Sequence, residues 1–148
     1  MNRFTKIAFS ISMLVITAFM INGCKTKEEQ LTAQMMNASG DTISKGTIVG
    51  FQHETRGKVA LLKKSDGNKV IQFYEYYSTP APNVDLFLSK TNTYTTAAEC
   101  PRLGDLTSTG SFTLAVPAGI NTDDYPYVIV WCVDYSALLG YAQLKKLN

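Results

Sequence analysis

Cys24, Cys100, Cys132 and His53 are all the cysteine and histidine in the 148-residue sequence, and they are the side chains best suited to chemistry. A thiolate is a nucleophile and a metal ligand. An imidazole moves protons or binds metals near neutral pH. Their scarcity excludes several functions. The methionines, Met1, Met13, Met20, Met35 and Met36, all precede residue 40. A blue-copper site needs two His and a Cys. Structural zinc takes four Cys or His ligands, and catalytic zinc usually takes three protein ligands. None of these can be assembled without recruiting carboxylates. No Cys-x-x-Cys-His serves c-type haem, and no Gly-x-Ser-x-Gly precedes a helix. The expectation is no intrinsic metal or cofactor and no self-contained catalytic constellation.

Weaker candidates each have an ordinary reading. His53 fits a loop or strand-end histidine; as a haem ligand it would lack a Met partner. Asp123 and Asp124, with Asn121 nearby, could offer oxygens to calcium, which takes 6–8 of them; a solvated turn is the alternative. Tyr74, Tyr76 and Tyr77 could stack on glycans, or pack across strands with wet hydroxyls.

Cys24 is defined by the segment before it. Arg3 and Lys6 precede an apolar run of 15 residues, IAFSISMLVITAFMI, from Ile7 to Ile21. As a helix it would span ~22 Å, short of the ~30 Å hydrocarbon core, so a secretory signal is expected. Ile21-Asn22-Gly23-Cys24 resembles the lipobox of bacterial lipoproteins. That resemblance implies residues 1–23 as signal peptide, diacylglycerol on the Cys24 sulfur and an acyl chain on its amine. The chain would then be extracytoplasmic and held to a membrane by lipid, since several acyl chains anchor stably where one does not. Lys25 is not the Asp that favours inner-membrane retention, which points to the outer membrane. Lys27-Glu28-Glu29 resembles the short charged signal that carries some lipoproteins to the cell surface; a solvated cluster at the start of a tether reads equally well. Residues 24–45 are polar and fit a flexible tether with a reach of ~25 Å.

Arg3 and Lys6 also account for the formal charge of +2, so the remaining basic and acidic side chains balance. Such a chain carries no electrostatic footprint for nucleic acid. With 45% hydrophobic and 18% charged residues it is too apolar to be disordered.

Residues 46–148 must position Cys100 and Cys132, and they read as all-β. Strands are predicted at 48–53, 57–63, 69–76, 85–90, 103–106, 111–116 and 127–133, with a final strand after Gly140. Ser65-Asp66-Gly67-Asn68 is a tight hairpin turn. Strands separated by turn signals, without an amphipathic helix, predict an antiparallel sandwich or barrel. In YVIVWCV, Tyr127, Ile129, Trp131 and Val133 share one face, and Val128, Val130, Cys132 and Asp134 the other. Both faces are apolar up to Cys132, so this strand should be central and buried on both sides, with Cys132 near its end. Lys63, Lys64, Lys145 and Lys146 suit strand edges that must not pair with other chains.

The run YPYVIVWCVDYSALLGYAQL resembles the C-terminal signature of the DM-thirteen domain, a small β-rich module proposed to transfer electrons. Other motifs agree in order: His53 ahead of Gly57-Lys58-Val59, Asn83-Val84-Asp85-Leu86-Phe87-Leu88-Ser89, Leu103-Gly104-Asp105-Leu106, Gly110 and Pro117. The resemblance spans about residues 46–148. It implies an accessory redox module acting through Cys132 with a redox or envelope protein as partner; a non-redox binding or structural module of the cell envelope is the alternative. Buried cysteine is otherwise common and inert. Cys100 is the second candidate redox thiol. A Cys100–Cys132 bridge would close a loop of about 30 residues, worth roughly 3–4 kcal/mol, and the sequence leaves that pairing open.

Overall fold

A computed structural model describes residues 40–51, 53–107 and 109–147. The predicted signal peptide, Cys24 and most of the predicted tether lie outside these residues. Among the described residues nine strands follow one another: β1 (Asp41–Gly50), β2 (Thr55–Lys63), β3 (Lys69–Ser78), β4 (Val84–Ser89), β5 (Arg102–Asp105), β6 (Gly110–Ala115), β7 (Tyr127–Cys132), β8 (Ala137–Gln143) and β9 (Lys145–Lys146). One 3-10 turn, Thr122–Asp124, precedes β7. The all-β expectation holds.

The strands form one antiparallel sheet in the order β5-β4-β7-β8-β1-β2-β3-β6, with β9 added to β1. The two ends of that order curl together. Gly104 of β5 lies against β6: a Cβ built on it would stand 4.0 Å from Leu114 Cδ2. No ladder joins β5 to β6, so the sheet is a nearly closed barrel with a side-chain seam. Ile48, Val59, Leu61, Ile71, Leu86, Val128 and Leu139 fill its interior. Phe73 and Phe112 stack there with centroids 4.7 Å apart, and Tyr76 meets both edge-on.

Local chemistry sets the turns and the register. In the β2–β3 hairpin, Gly67 adopts φ +84°, a conformation glycine takes without steric cost. Asp66 accepts from the Asn68 backbone N–H at 2.9 Å and the Asn68 amide at 3.0 Å. Those bonds hold its carboxyl below the usual range, the backbone bond first. Lys63 and Lys69 face each other across the hairpin base.

Two sequence boundaries move. The strand predicted at 48–53 is β1, Asp41–Gly50, and it starts earlier because Asp41 and Thr42 pair with Lys63 and Leu62 of β2, while Ser44 and Lys45 pair with β9. Gly140 does not precede the last long strand but sits inside β8, at a close crossing with β1. A Cβ there would lie 2.9 Å from the Val49 carbonyl oxygen and 3.1 Å from Thr55 Cγ2.

β7 is central, between β4 and β8. Its Val128, Val130 and Cys132 face the barrel interior, and Ile129 faces outward, where Phe87, Cys100 and Tyr94 cover it. A sheet buried on both faces explains the continuous apolar run of this strand.

Candidate functional site

The barrel has an Asp41 end and a Cys132 end, and the two thiols are set apart by both end and face. Cys132 is the last residue of β7, paired with Val84 of β4 and Ala137 of β8. It is 0% exposed. The β3–β4 loop crosses above it, and the Cys132 thiol donates to the Pro82 carbonyl oxygen at 3.0 Å. The next residue continues the clamp: the Val133 N–H donates to the Asn83 carbonyl at 2.9 Å. Asn83 Nδ2 donates to Asp134 Oδ1 at 2.7 Å. Asn83 itself adopts φ +48°, which asparagine tolerates better than most residues. The loop is thus fastened to the β7 end by three bonds, and a reagent must displace it to reach the sulfur.

Cys100 is also enclosed, at 1% exposure, but in a different setting. The β4–β5 loop folds over the outer face of β4 and β7. There Cys100 packs with Phe87 and Ile129, and Tyr94 and Trp131 close the cluster with centroids 5.0 Å apart. Its sulfur lies 3.4 Å from Thr95 Oγ1 and 3.6 Å from Ser89 Oγ. Burial pushes this thiol up. The opposing hydrogen bonds with the Thr95 side chain and backbone, Ser89 and the Thr96 backbone outweigh it and hold the thiol below its ordinary value.

Cys100 and Cys132 therefore stand on opposite faces of the same sheet, and both are free thiols. The pairing left open by the sequence does not form, and a dithiol switch between them is ruled out by the β4–β7 ladder that separates them.

The remaining sequence candidates are dispersed. His53 is exposed in the β1–β2 loop, at the Cys132 end. Tyr74 and Tyr76 are buried, and Arg56 lies over the Tyr77 ring at 4.2 Å, so the three do not form a stacking platform. Asn121 caps the 3-10 turn, and Asp123 pairs with Lys146 at 3.1 Å. Among the described residues, no three His, Cys, Asp or Glu side chains converge as a metal group.

Three features escaped sequence reasoning. One is the Pro82–Asn83 cap, whose only sequence signal was the proline pair at Pro80 and Pro82. Another is the hydroxyl cradle around Cys100. The third is the bidentate pair of Arg102 with Asp85, at 2.6 and 2.7 Å, which fastens β5 to β4; Arg102 also bonds Asp105. A cavity of about 670 Å³ opens beside the cap, between the end of β3, the start of β4 and the β5–β6 connection.

The chain is thus a small antiparallel barrel with Cys132 enclosed under a proline-containing loop. The family model "Electron transfer DM13" matches residues 47–144, and the chain belongs to that family. No curated protein and no solved structure matches the chain.

Proposed function

We propose that this protein is a lipid-anchored, extracytoplasmic electron-transfer module whose redox group is the Cys132 thiol. The observation that carries the reading is the membership of residues 47–144 in the electron-transfer family, together with a Cys132 that is spent in no disulfide. Full enclosure makes exchange with a bulky reagent slow while the cap is closed. The reading therefore requires that Pro80–Asn83 lift. With no second thiol in reach, Cys132 exchanges with a disulfide of the partner, its thiolate forming a mixed disulfide as one partner thiolate leaves and its own proton passes to water.

The anchor would be Cys24, carrying diacylglycerol and an acyl chain, with the domain on the outer membrane and Lys27-Glu28-Glu29 directing it to the cell surface. The tether would join at Asp41. β1 runs ten residues from there toward the Cys132 end, about 30 Å at strand rise. A redox or envelope protein partner would meet the Cys132 end.

Fractionation and mass spectrometry test the anchor: Cys24→Ser should release the domain into the soluble fraction, and an unmodified Cys24 in membrane-bound wild type would overturn it. Added protease should remove the domain from intact cells; cleavage only after lysis would put it on the periplasmic side. A binding module without redox chemistry is the second reading, favoured by the cavity beside the cap.

A further inference from the structure

The thiol reading makes no use of the cavity at the Cys132 end. Its apolar lining is Ala81, Val84, Leu106 and Tyr76. Ser78, Thr79, Thr107 and Thr109 also line it; the Ser78 and Thr79 hydroxyls donate to the Thr79 and Glu54 carbonyl oxygens at 3.0 and 3.4 Å, which leaves their oxygens free to accept. Among the described residues, the charged lining group is Asp105, already bonded to Arg102, and neither Lys, Arg nor His contributes to the wall. Burial pushes the Tyr76 phenol up to about 12, against a smaller opposing bond from Ser78, so it remains a neutral hydrogen-bonding group in any ordinary medium.

This lining discriminates among ligand classes. An anion would enter without a counter-charge and meet a carboxylate. A purely alkyl ligand would strip water from the hydroxyls without replacing their hydrogen bonds, which costs free energy. A molecule with a ring of hydroxyls and C–H faces satisfies both the hydroxyls and the apolar lining. We infer that the cavity beside the Cys132 cap is a binding site for an uncharged, polyhydroxylated small molecule of the sugar class. The volume of about 670 Å³ lies within the ~300–1,000 Å³ typical of small-molecule sites.

The site has a built-in reporter. Thr79, Pro80, Ala81 and Asn83 form one wall of the cavity, and the same loop holds Cys132 through the Pro82 carbonyl. A ligand bound to the closed loop opposes its lifting, whether or not Cys132 has a redox role.

The test uses purified full-length protein and three neutral probes, glucose, N-acetylglucosamine and lactose, with gluconate as the anionic control. Amide spectra should show saturable shifts at Thr79, Asn83, Leu106 and Thr107 with at least one neutral sugar, and binding of gluconate at least about tenfold weaker. Thr107→Trp, which fills the mouth from an exposed rim position, should abolish the shifts; Thr109→Trp serves the same purpose if the first variant misfolds. At a sugar concentration of about ten times Kd, maleimide labelling of Cys132 should slow about tenfold. Absence of shifts with all three sugars, equal binding of gluconate, or shifts unaffected by the Trp variant would overturn the site. Binding without slowed labelling would overturn the link to the cap.

Discussion

Cys132 directs its thiol hydrogen at the Pro82 carbonyl oxygen, 3.0 Å away across 50 positions of sequence. A side chain from a central strand and a backbone atom from a surface loop thus close one end of the barrel together. The strength of that closure decides how often the sulfur meets solvent.

Asn83→Gly tests the closure. Glycine keeps the positive φ but removes the 2.7 Å bond to Asp134. A loss of about 1 kcal/mol is expected for one such bond, which opens the loop roughly fivefold more often. Maleimide labelling of Cys132 should accelerate by that factor, with urea unfolding reporting the stability change. Labelling at the wild-type rate would show that Asn83 does not hold the cap.

Free thiols on opposite faces of a sheet give a simple readout. Purified without reductant and then denatured, the protein should yield reactive thiols at both Cys100 and Cys132, and dithiothreitol should leave its Tm unchanged. A mass two hydrogens lighter, with both thiols blocked, would contradict the separation.

The barrel should weaken in alkali through Tyr76. Its phenol ionises near 10 when unfolded and near about 12 when folded, chiefly because of burial. Below pH 10 both states are neutral and the contribution is fully present. Between pH 10 and 12 the unfolded chain alone releases the proton, so roughly 2–3 kcal/mol of stability is lost. Tyr76→Phe keeps the ring against Phe73 and Phe112 and should remove this step from a plot of unfolding free energy against pH. An identical alkaline slope in the variant would disprove the assignment.

Arg102→Ala should leave Asp85, a carboxylate with 8% side-chain exposure, without its bidentate partner. Because Arg102 is itself half exposed, the cost is below that of a fully buried pair, about 2 kcal/mol. Adding Asp85→Asn should recover part of the loss; a double variant weaker than the sum of the single changes would contradict this account.

Much of this arrangement was legible in the sequence, for physical reasons that differ by element. β7 announced itself because YVIVWC is apolar at both phases of a two-residue period, and the position of Cys132 near its end followed. The hairpin at Asp66-Gly67 was equally clear from turn chemistry. Asp41–Lys45 was harder to read: its alternating polar residues resemble a linker, and only the partners on β2 and β9 make it strand. Gly140 looked like a strand boundary because glycine usually marks one; here it serves a close approach of two backbones. The cap on Cys132 uses a main-chain oxygen, which carries no side-chain signature. The placement of Cys100 depends on how residues 90–101 fold over the outer face, and that segment has no periodicity to read.

Exchange of the folded protein with oxidised glutathione, followed by intact mass, tests the central claim most directly. The account predicts one glutathione adduct that dithiothreitol reverses, retained in Cys100→Ala and lost in Cys132→Ala, with both variants folded by amide spectra. An adduct that survives Cys132→Ala, or a folded wild type that gives none, would contradict redox exchange through Cys132.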